Sequence, residues 1–235
     1  MTKTDFFEKY PFRIELHAHT SPASPCSDLL PQDVIKIYKE QNVDAIVITN
    51  HFVSSIMPKD KQKAIDTYYQ DYLDALKAGK ELGVTVYLGA ELRFCNDNAN
   101  DFLLFGIDKQ TLLSTFDFLD STLENFRKNL ALPNSVLIQA HPFRNNCTTV
   151  LPELVDGFET FNSHPGHNNR NCFAIEFAKG KIKTCGSDFH HPDLNHEAMA
   201  LLRTKFVPKD SFELANLLRS GDYVFEIGKD AVVIP

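Results

Sequence analysis

The sequence predicts an α/β protein whose mainly parallel sheet closes, or nearly closes, into a barrel. Three observations predict it. Apolar runs of four to eight residues alternate with amphipathic helical patterns along most of the 235 residues, as buried parallel strands alternate with crossover helices. About seven such units occur, more than an open sheet usually needs. Nearly every apolar run also carries an imidazole or a carboxylate at or near one end. It is mostly the C-terminal end, where barrel folds build their sites.

Taken in order, the strands are "RIEL" (13–16), "DAIVIT" (44–49), "TVYLGAEL" (85–92), "FLLFGI" (102–107), "SVLIQA" (135–140), "GFETFN" (157–162) and "IKTCGS" (182–187). Helices are expected between most of them. "PQDVIKIYKEQ" (31–41) starts on a proline followed by an acid, a good opening turn. Residues 59–83 form a long amphipathic helix stopped by Gly83. Residues 111–132 read as another single long helix, and 169–180 as a shorter one ending on Gly180. The tail 211–228 supplies one helix and a last strand. No internal repeat, low-complexity tract or linker divides the chain, so residues 1–235 are read as one domain.

Hydrophobic residues make up 43%, with 19 Phe and no Trp, which is enough for a full core. The balance of 24 basic against 31 acidic residues gives a net charge of -7, so no broad electrostatic footprint for long nucleic acid or anionic membrane is expected. No apolar run approaches a membrane span, and "MTKTDFFEKY" has no apolar signal core. The five cysteines, Cys26, Cys95, Cys147, Cys172 and Cys185, form no C-x-x-C pair. That pattern fits reduced thiols and a cytoplasmic location; it argues against a disulfide framework or a structural cysteine-zinc site.

The chemistry gathers after the strands. His17 and His19 follow the first, in "HAHT"; residues i and i+2 of a strand share a face, so both imidazoles aim at one point. His51 follows the second and Glu91 ends the third. Asp101 precedes the fourth and His141 follows the fifth. Glu159 and Asn162 lie in the sixth, and Asp188 and His190 follow the seventh with the same i, i+2 spacing. Imidazole with carboxylate and no thiolate suits Zn²⁺, Mn²⁺ or Fe²⁺. Asp28 offers a further carboxylate, or a cap for the helix after it. Arg144 and Arg93 follow ligand motifs closely and suit phosphate; Arg203 is a weaker third choice. His164 and His167 stand in the polar loop 162–171, placed to contact substrate or protonate a leaving group. His191 and His196 read as surface residues, and Cys26 and Cys185 as small packing residues.

The ordered set "ELHAHT", "DAIVITNHF", "GAEL", "QAHPFR", "DGFETFN" and "GSDFH" resembles the polymerase and histidinol phosphatase (PHP) superfamily of metal-dependent phosphoesterases over residues 13–191. The resemblance implies a distorted (β/α)7 barrel with two or three divalent ions (Zn, Mn or Fe) at its C-terminal mouth. It implies that His17, His19, Glu91 and Asp188 hold one ion, that Glu91 bridges to a second with His141, and that His51 and His190 hold a third. Asp101 stands where the second ion usually has a histidine. Asp28 is the nearest candidate for the third ion's loop ligand, and Asn50 replaces the commoner aspartate before His51. Glu91, Asp188 and His190 become the catalytic set and Arg144, Arg93 and His164 the substrate set. The implied reaction is hydrolysis of a small phosphomonoester (histidinol phosphate, a nucleotide or a sugar phosphate) by a metal-activated hydroxide. Two alternatives stand beside it. An amidohydrolase-type barrel also starts with His-x-His, but commonly carries a lysine after a middle strand and a lone terminal Asp. A non-catalytic metal-binding module is the other.

Overall fold

The structure is a computed structural model and describes residues 2–94, 99–192, 199–228 and 231–235; Cys95 and His196 lie outside the described residues. Helix α1 (Lys3–Lys9) precedes β1 (Phe12–Ala18), and α2 (Pro31–Glu40) leads to β2 (Ala45–Ile48) and its continuation β3 (His51–Phe52). The long α3 (Lys61–Leu82) returns the chain to β4 (Thr85–Leu88), β5 (Ala90–Leu92) and β6 (Phe102–Phe105). Next come α4 (Lys109–Phe116), α5 (Leu123–Asn129), β7 (Val136–Gln139), β8 (Gly157–Asn162), α6 (Asn171–Phe177) and β9 (Ile182–Gly186). The chain finishes with β10 (Ala200–Thr204), α7 (Ser211–Ser220), β11 (Val224–Ile227) and β12 (Ala231–Val233).

The α/β class is as the sequence predicts, and all seven apolar runs are strands. They pair as two six-stranded sheets, β12-β11-β10-β1-β2-β4 and β3-β5-β6-β7-β8-β9. The sheets are continuous along two strand lines, because β2 runs on into β3 and β4 into β5. At the other side a parallel bridge between Ala18 and Phe189 ties the end of β1 to the segment after β9. Two features depart from a regular β/α repeat. β6 is antiparallel to both β5 and β7, since the link from β5 is too short for a parallel crossover. β10 is antiparallel to the first half of β1.

Alternation sorts the side chains into layers. Ile14, Leu16, Val47, Leu103, Phe105, Val136, Ile138 and Cys185 share one inner core with Leu214, Leu217 and Leu218 of α7. Ile46 and Ile48 face Val34 and Tyr38 of α2 and Ala75 of α3 instead. Phe102, Leu104 and Leu137 pack with Leu112 of α4 and Phe126 of α5. In β1 this parity breaks. Leu16 belongs to the inner core and Ala18 to the α2 layer, and the register against β2 shifts between Glu15 and Ala18. A bulge of this kind re-aims side chains. Glu15 receives the Tyr38 hydroxyl at 3.1 Å, while His17, two residues on, meets Glu159 of β8 at 2.9 Å. A second shift, between Glu159 and Phe161, lies in β8.

One expectation is corrected. Residues 111–132 are not a single helix: Asp117 ends α4, and Thr122 caps α5 by accepting the Asn125 N–H at 3.2 Å. A side-chain oxygen that satisfies an orphan donor starts a new helix where hydrophobic periodicity alone runs on. Elements that the sequence reading did not place include α1, β10 and β12. No helix among the described residues is long and apolar enough to cross a membrane.

Candidate metal centre

Four side chains converge, from within β1 and β5 and from just past the ends of β1 and β9. His17 Nε2 lies 3.1 Å from His19 Nε2, 3.2 Å from Glu91 Oε1 and 3.3 Å from Asp188 Oδ1. His19 Nε2 is 3.3 Å from Glu91 Oε2 and 3.4 Å from Asp188 Oδ1. All four residues are buried. Both rings are oriented from behind: His17 Nδ1–H donates to Glu159 Oε1 at 2.9 Å, and His19 Nδ1 meets Ser24 Oγ at 3.1 Å. Each then presents Nε2 to the other, two lone pairs held face to face unless something positive lies between them. Nitrogen and oxygen ligands about 2.0–2.1 Å from a tetrahedral Zn²⁺ lie about 3.3 Å from one another. The donor set fits a divalent cation.

The electrostatics agree. Burial pushes His17 down, but Asp188, Glu159 and Glu91 outweigh it and raise its pKa well above the usual value. Burial lowers His19, and neighbouring His190 and His51 lower it further. For Glu91 and Asp188 burial works upward, and the attraction of His17 overrides it, so both stay well below the usual carboxylate range. Buried carboxylates held ionised around imidazoles attract positive charge, whether proton or metal.

Glu91 sits at the centre. Its Oε1 faces His141 Nε2 at 3.3 Å as well as His17, and its Oε2 faces His51 Nδ1 at 2.9 Å as well as His19. Glu91 Oε2 and His51 Nδ1 nevertheless lack hydrogen-bond partners, as two acceptors aimed at a shared cation do. His141 Nε2 is 3.8 Å from Asp101 Oδ2. His19, His51 and His190 form another group, with ligand atoms within 4.8 Å of one another, and so do His51, Glu91 and Asp101. His141 and Asp188 both have positive φ, 29° and 54°. Such strain in non-glycine residues gathers at functional sites. Glu159 supports the first of them by accepting the His141 N–H at 3.0 Å.

Other residues fall differently from the sequence reading. Asp28 does not reach the group: its side chain is 70% exposed and takes His191 Nδ1 at 2.6 Å. Cys26, read as a packing residue, is exposed and lines the cavity beside His190 and His51. No spacing rule marks it, because a loop and not a strand carries it. Cys185 does pack in the inner core. Arg93 grips both oxygens of Asp101 at 2.7 Å, so the carboxylate expected as a ligand and the guanidinium expected for substrate hold each other. Arg144 donates to Asp188, to Asn162 at 3.2 Å and to Asn169 at 2.9 Å. Arg203 is far from the mouth, buried in β10 against Glu226 at 2.5 Å. Asn50 holds the loop after β1: its Oδ1 accepts the Thr20 N–H, and its Nδ2 donates to Thr20 Oγ1 and Asp71 Oδ2. An aspartate there would repel Asp71.

These groups enclose a cavity of about 300 Å³ walled by Cys26, His51, Glu91, Asp101, His141, Asp188 and His190, with Arg93, Arg144, His164, His167 and His191 also lining it. A larger cavity, about 590 Å³, lies beside α3, β4 and the start of α7, lined by groups such as Tyr69, Leu76, Val86 and Lys209. The clusters of three or more metal-ligating groups found among the described residues are all at the smaller one.

Comparison with known proteins gives a consistent picture. A family model described as PHP domain matches residues 15–164; Asp188 and His190 lie beyond the matched segment. A two-domain protein of Bacteroides vulgatus, described as containing a predicted PHP-like metal-dependent phosphoesterase, is similar in structure with TM-score 0.63 and 16% identity. The match covers 92% of this chain and 65% of that one, so this chain spans just under two thirds of its length. PsfC from Pseudomonas syringae is similar with TM-score 0.54 and 18% identity over 82% of each chain. An amidohydrolase from Chromobacterium violaceum, with bound sulfate and no metal, is similar with TM-score 0.52 and 14% identity over 77% of this chain and 88% of that one. At these identities the solved structures speak to fold alone. No curated protein matches the chain.

Proposed function

The chain belongs to the PHP domain family of metal-dependent phosphoesterases, and from that premise we propose that it hydrolyses a small phosphomonoester at the cavity beside Glu91. The observation that carries the reading is one small space lined both by imidazoles and carboxylates and by Arg144 with His164 and His167, two histidines whose pKa burial lowers. About 300 Å³ is at the lower end of small-molecule sites. A sugar phosphate, a nucleotide or histidinol phosphate enters such a cavity with its phosphoryl group; a duplex does not.

His17, His19, Glu91 and Asp188, His141 beside the same Glu91, and His51 with His190 would hold divalent cations, which would supply Lewis acidity and a nucleophilic water at neutral pH. The chain's own residues do the rest. Arg144 is clamped by Asn162, Asn169 and Asp188, so its charge is fixed at the cavity wall and ready for phosphoryl oxygens. Arg93, held by Asp101, adds charge at the rim. Burial lowers the pKa of His164 to about 4, despite the opposing pull of Asp188. It is therefore a neutral ring near pH 7, fit for hydrogen bonding to substrate and not for delivering a proton as imidazolium.

The test is phosphate release from a panel of small phosphomonoesters by protein loaded with Zn²⁺, Mn²⁺ or Fe²⁺, beside phosphodiesters and simple amides. Chelator-sensitive release from monoesters is the expected result. Hydrolysis of amides without monoesters would move the chain's chemistry to the amidohydrolase type. Metal uptake without any turnover would leave a binding module.

A further inference from the structure

On the reading that this centre holds divalent cations, we propose that Cys26 is a thiolate ligand of its outer position, joining His51 and His190 in the role that Asp28 was expected to fill. Asp28 is turned outward and committed to His191. Two residues earlier, Cys26 lines the same cavity as His190 and His51, with its thiol near enough to both imidazoles to interact with them. The histidines are prepared for a third partner. His190 Nδ1–H donates to the Asp188 carbonyl at 2.8 Å, which puts the ring's lone pair on Nε2. His51 Nδ1 has no hydrogen-bond partner and faces the unpartnered Glu91 Oε2.

The loop that carries Cys26 is fastened to both of those histidines. Ser24 Oγ accepts the His51 N–H at 2.8 Å, and on the other side of Cys26 Ser27 Oγ donates to the His190 carbonyl at 3.1 Å. The Asp28 N–H donates to the same carbonyl at 3.2 Å. A thiol fixed between two imidazoles is a preorganised ligand, and metal binding releases its proton. The consequence is chemical. Sulfur beside imidazole makes the outer position softer than an all-nitrogen-and-oxygen site, so it favours Zn²⁺ or Co²⁺ over Mg²⁺ and Mn²⁺.

The experiment loads the metal-free protein with Co²⁺ under anaerobic conditions and records the visible ligand-field bands, the near-ultraviolet thiolate-to-cobalt charge-transfer band, and bound metal per chain. Cys26→Ser, Cys147→Ser and Asp28→Asn are measured alongside; Cys147 is included because its Sγ lies 3.9 Å from His141 Nδ1. The expected result is a charge-transfer band in the parent, in Cys147→Ser and in Asp28→Asn. In Cys26→Ser the band is lost together with one bound equivalent, while the ligand-field bands of the inner cobalt persist. Ligand-field bands without any charge-transfer band in the parent, a band that survives in Cys26→Ser, or loss of an equivalent in Asp28→Asn overturns the assignment to Cys26 and leaves the inner centre standing. A parent that binds no cobalt at all overturns the metal reading itself.

Discussion

The inner and outer parts of this centre are made of different material. The inner set, His17, His19, Glu91 and Asp188, is buried at or just past strand ends, and Glu159 and Ser24 fix its two imidazoles from behind. The outer set, His51, His190 and Cys26, is partly or fully exposed and depends on the loop after β1 for its third member. Sheet pairing fixes ligand spacing to within the register of the ladder, whereas a loop is free to present whichever side chain its own hydrogen bonds select. The same contrast decides what each part tolerates. A buried charge that loses its counter-charges has no water to turn to; an exposed one does.

The largest effect expected is therefore at the inner set. Asp188→Ala removes a carboxylate lying within 3.4 Å of both His17 and His19 and paired with Arg144. Loss of the inner metal and a fall of about 10³-fold or more in phosphate release are expected, equivalent to several kcal/mol of transition-state stabilisation. Metal analysis with turnover on the same sample checks it. Full metal content and full turnover would show that the inner set is not the centre. Removing the metal with chelator is expected to lower the melting temperature, because a ligand at about 1,000 times its Kd stabilises the native state by about 4 kcal/mol. A melting temperature indifferent to chelator would put the inner cluster on the same footing as the outer one.

Glu159 sharpens the comparison one layer further back. Its two oxygens hold His17 Nδ1 and the backbone N–H of His141, and it is buried. The approach is so close that a Cβ on Gly186 would lie 2.4 Å from His17 Cβ and 2.9 Å from Glu159 Oε1. Glu159→Ala is expected to weaken metal binding about 10–100-fold, the usual effect of losing such an orienting partner. Glu159→Gln is expected to lie between Ala and the parent, since the amide keeps one acceptor. Chelator competition measures both, and equal affinity in all three would mean that the strands alone hold His17.

His164 tests the rim by pH. With its pKa lowered to about 4, it gains a proton only as pH falls through that value, so it is neutral throughout pH 5–8. The pH profiles of kcat/KM for the parent and His164→Asn are expected to keep the same shape across that range. An acid limb that disappears in the variant would identify His164 as a titrating catalytic group.

How much was legible follows the same division between strand and loop. His17 with His19 and Asp188 with His190 were readable because one i, i+2 rule governs both pairs, and Glu91, His51 and His141 because strand ends gather chemistry. The bulge in β1 was not readable: it depends on pairing with β2, and it separates Glu15 from His17 although the two are i and i+2. Nor was the split at Asp117–Thr122, where one capping hydroxyl overrides continuing periodicity. Cys26 was missed for the reason that made Asp28 attractive. Residue type alone favoured the carboxylate, and loop geometry favoured the thiol.

Asp28→Asn carries the smallest expected effect and is for that reason the sharpest check on the outer set. The Asp28–His191 pair is exposed on both sides, 70% and 38%, and exposed ion pairs contribute about 0–1 kcal/mol. In a chain of this length that is a shift of at most about 4 °C in melting temperature. The backbone N–H of Asp28, not its side chain, is what ties the loop to His190, and asparagine keeps it. Metal content should therefore be unchanged and thermal stability nearly so. A variant that loses metal without losing stability would mean that the carboxylate swings from His191 to the cation, and the boundary between inner and outer ligands would have to be redrawn around Asp28.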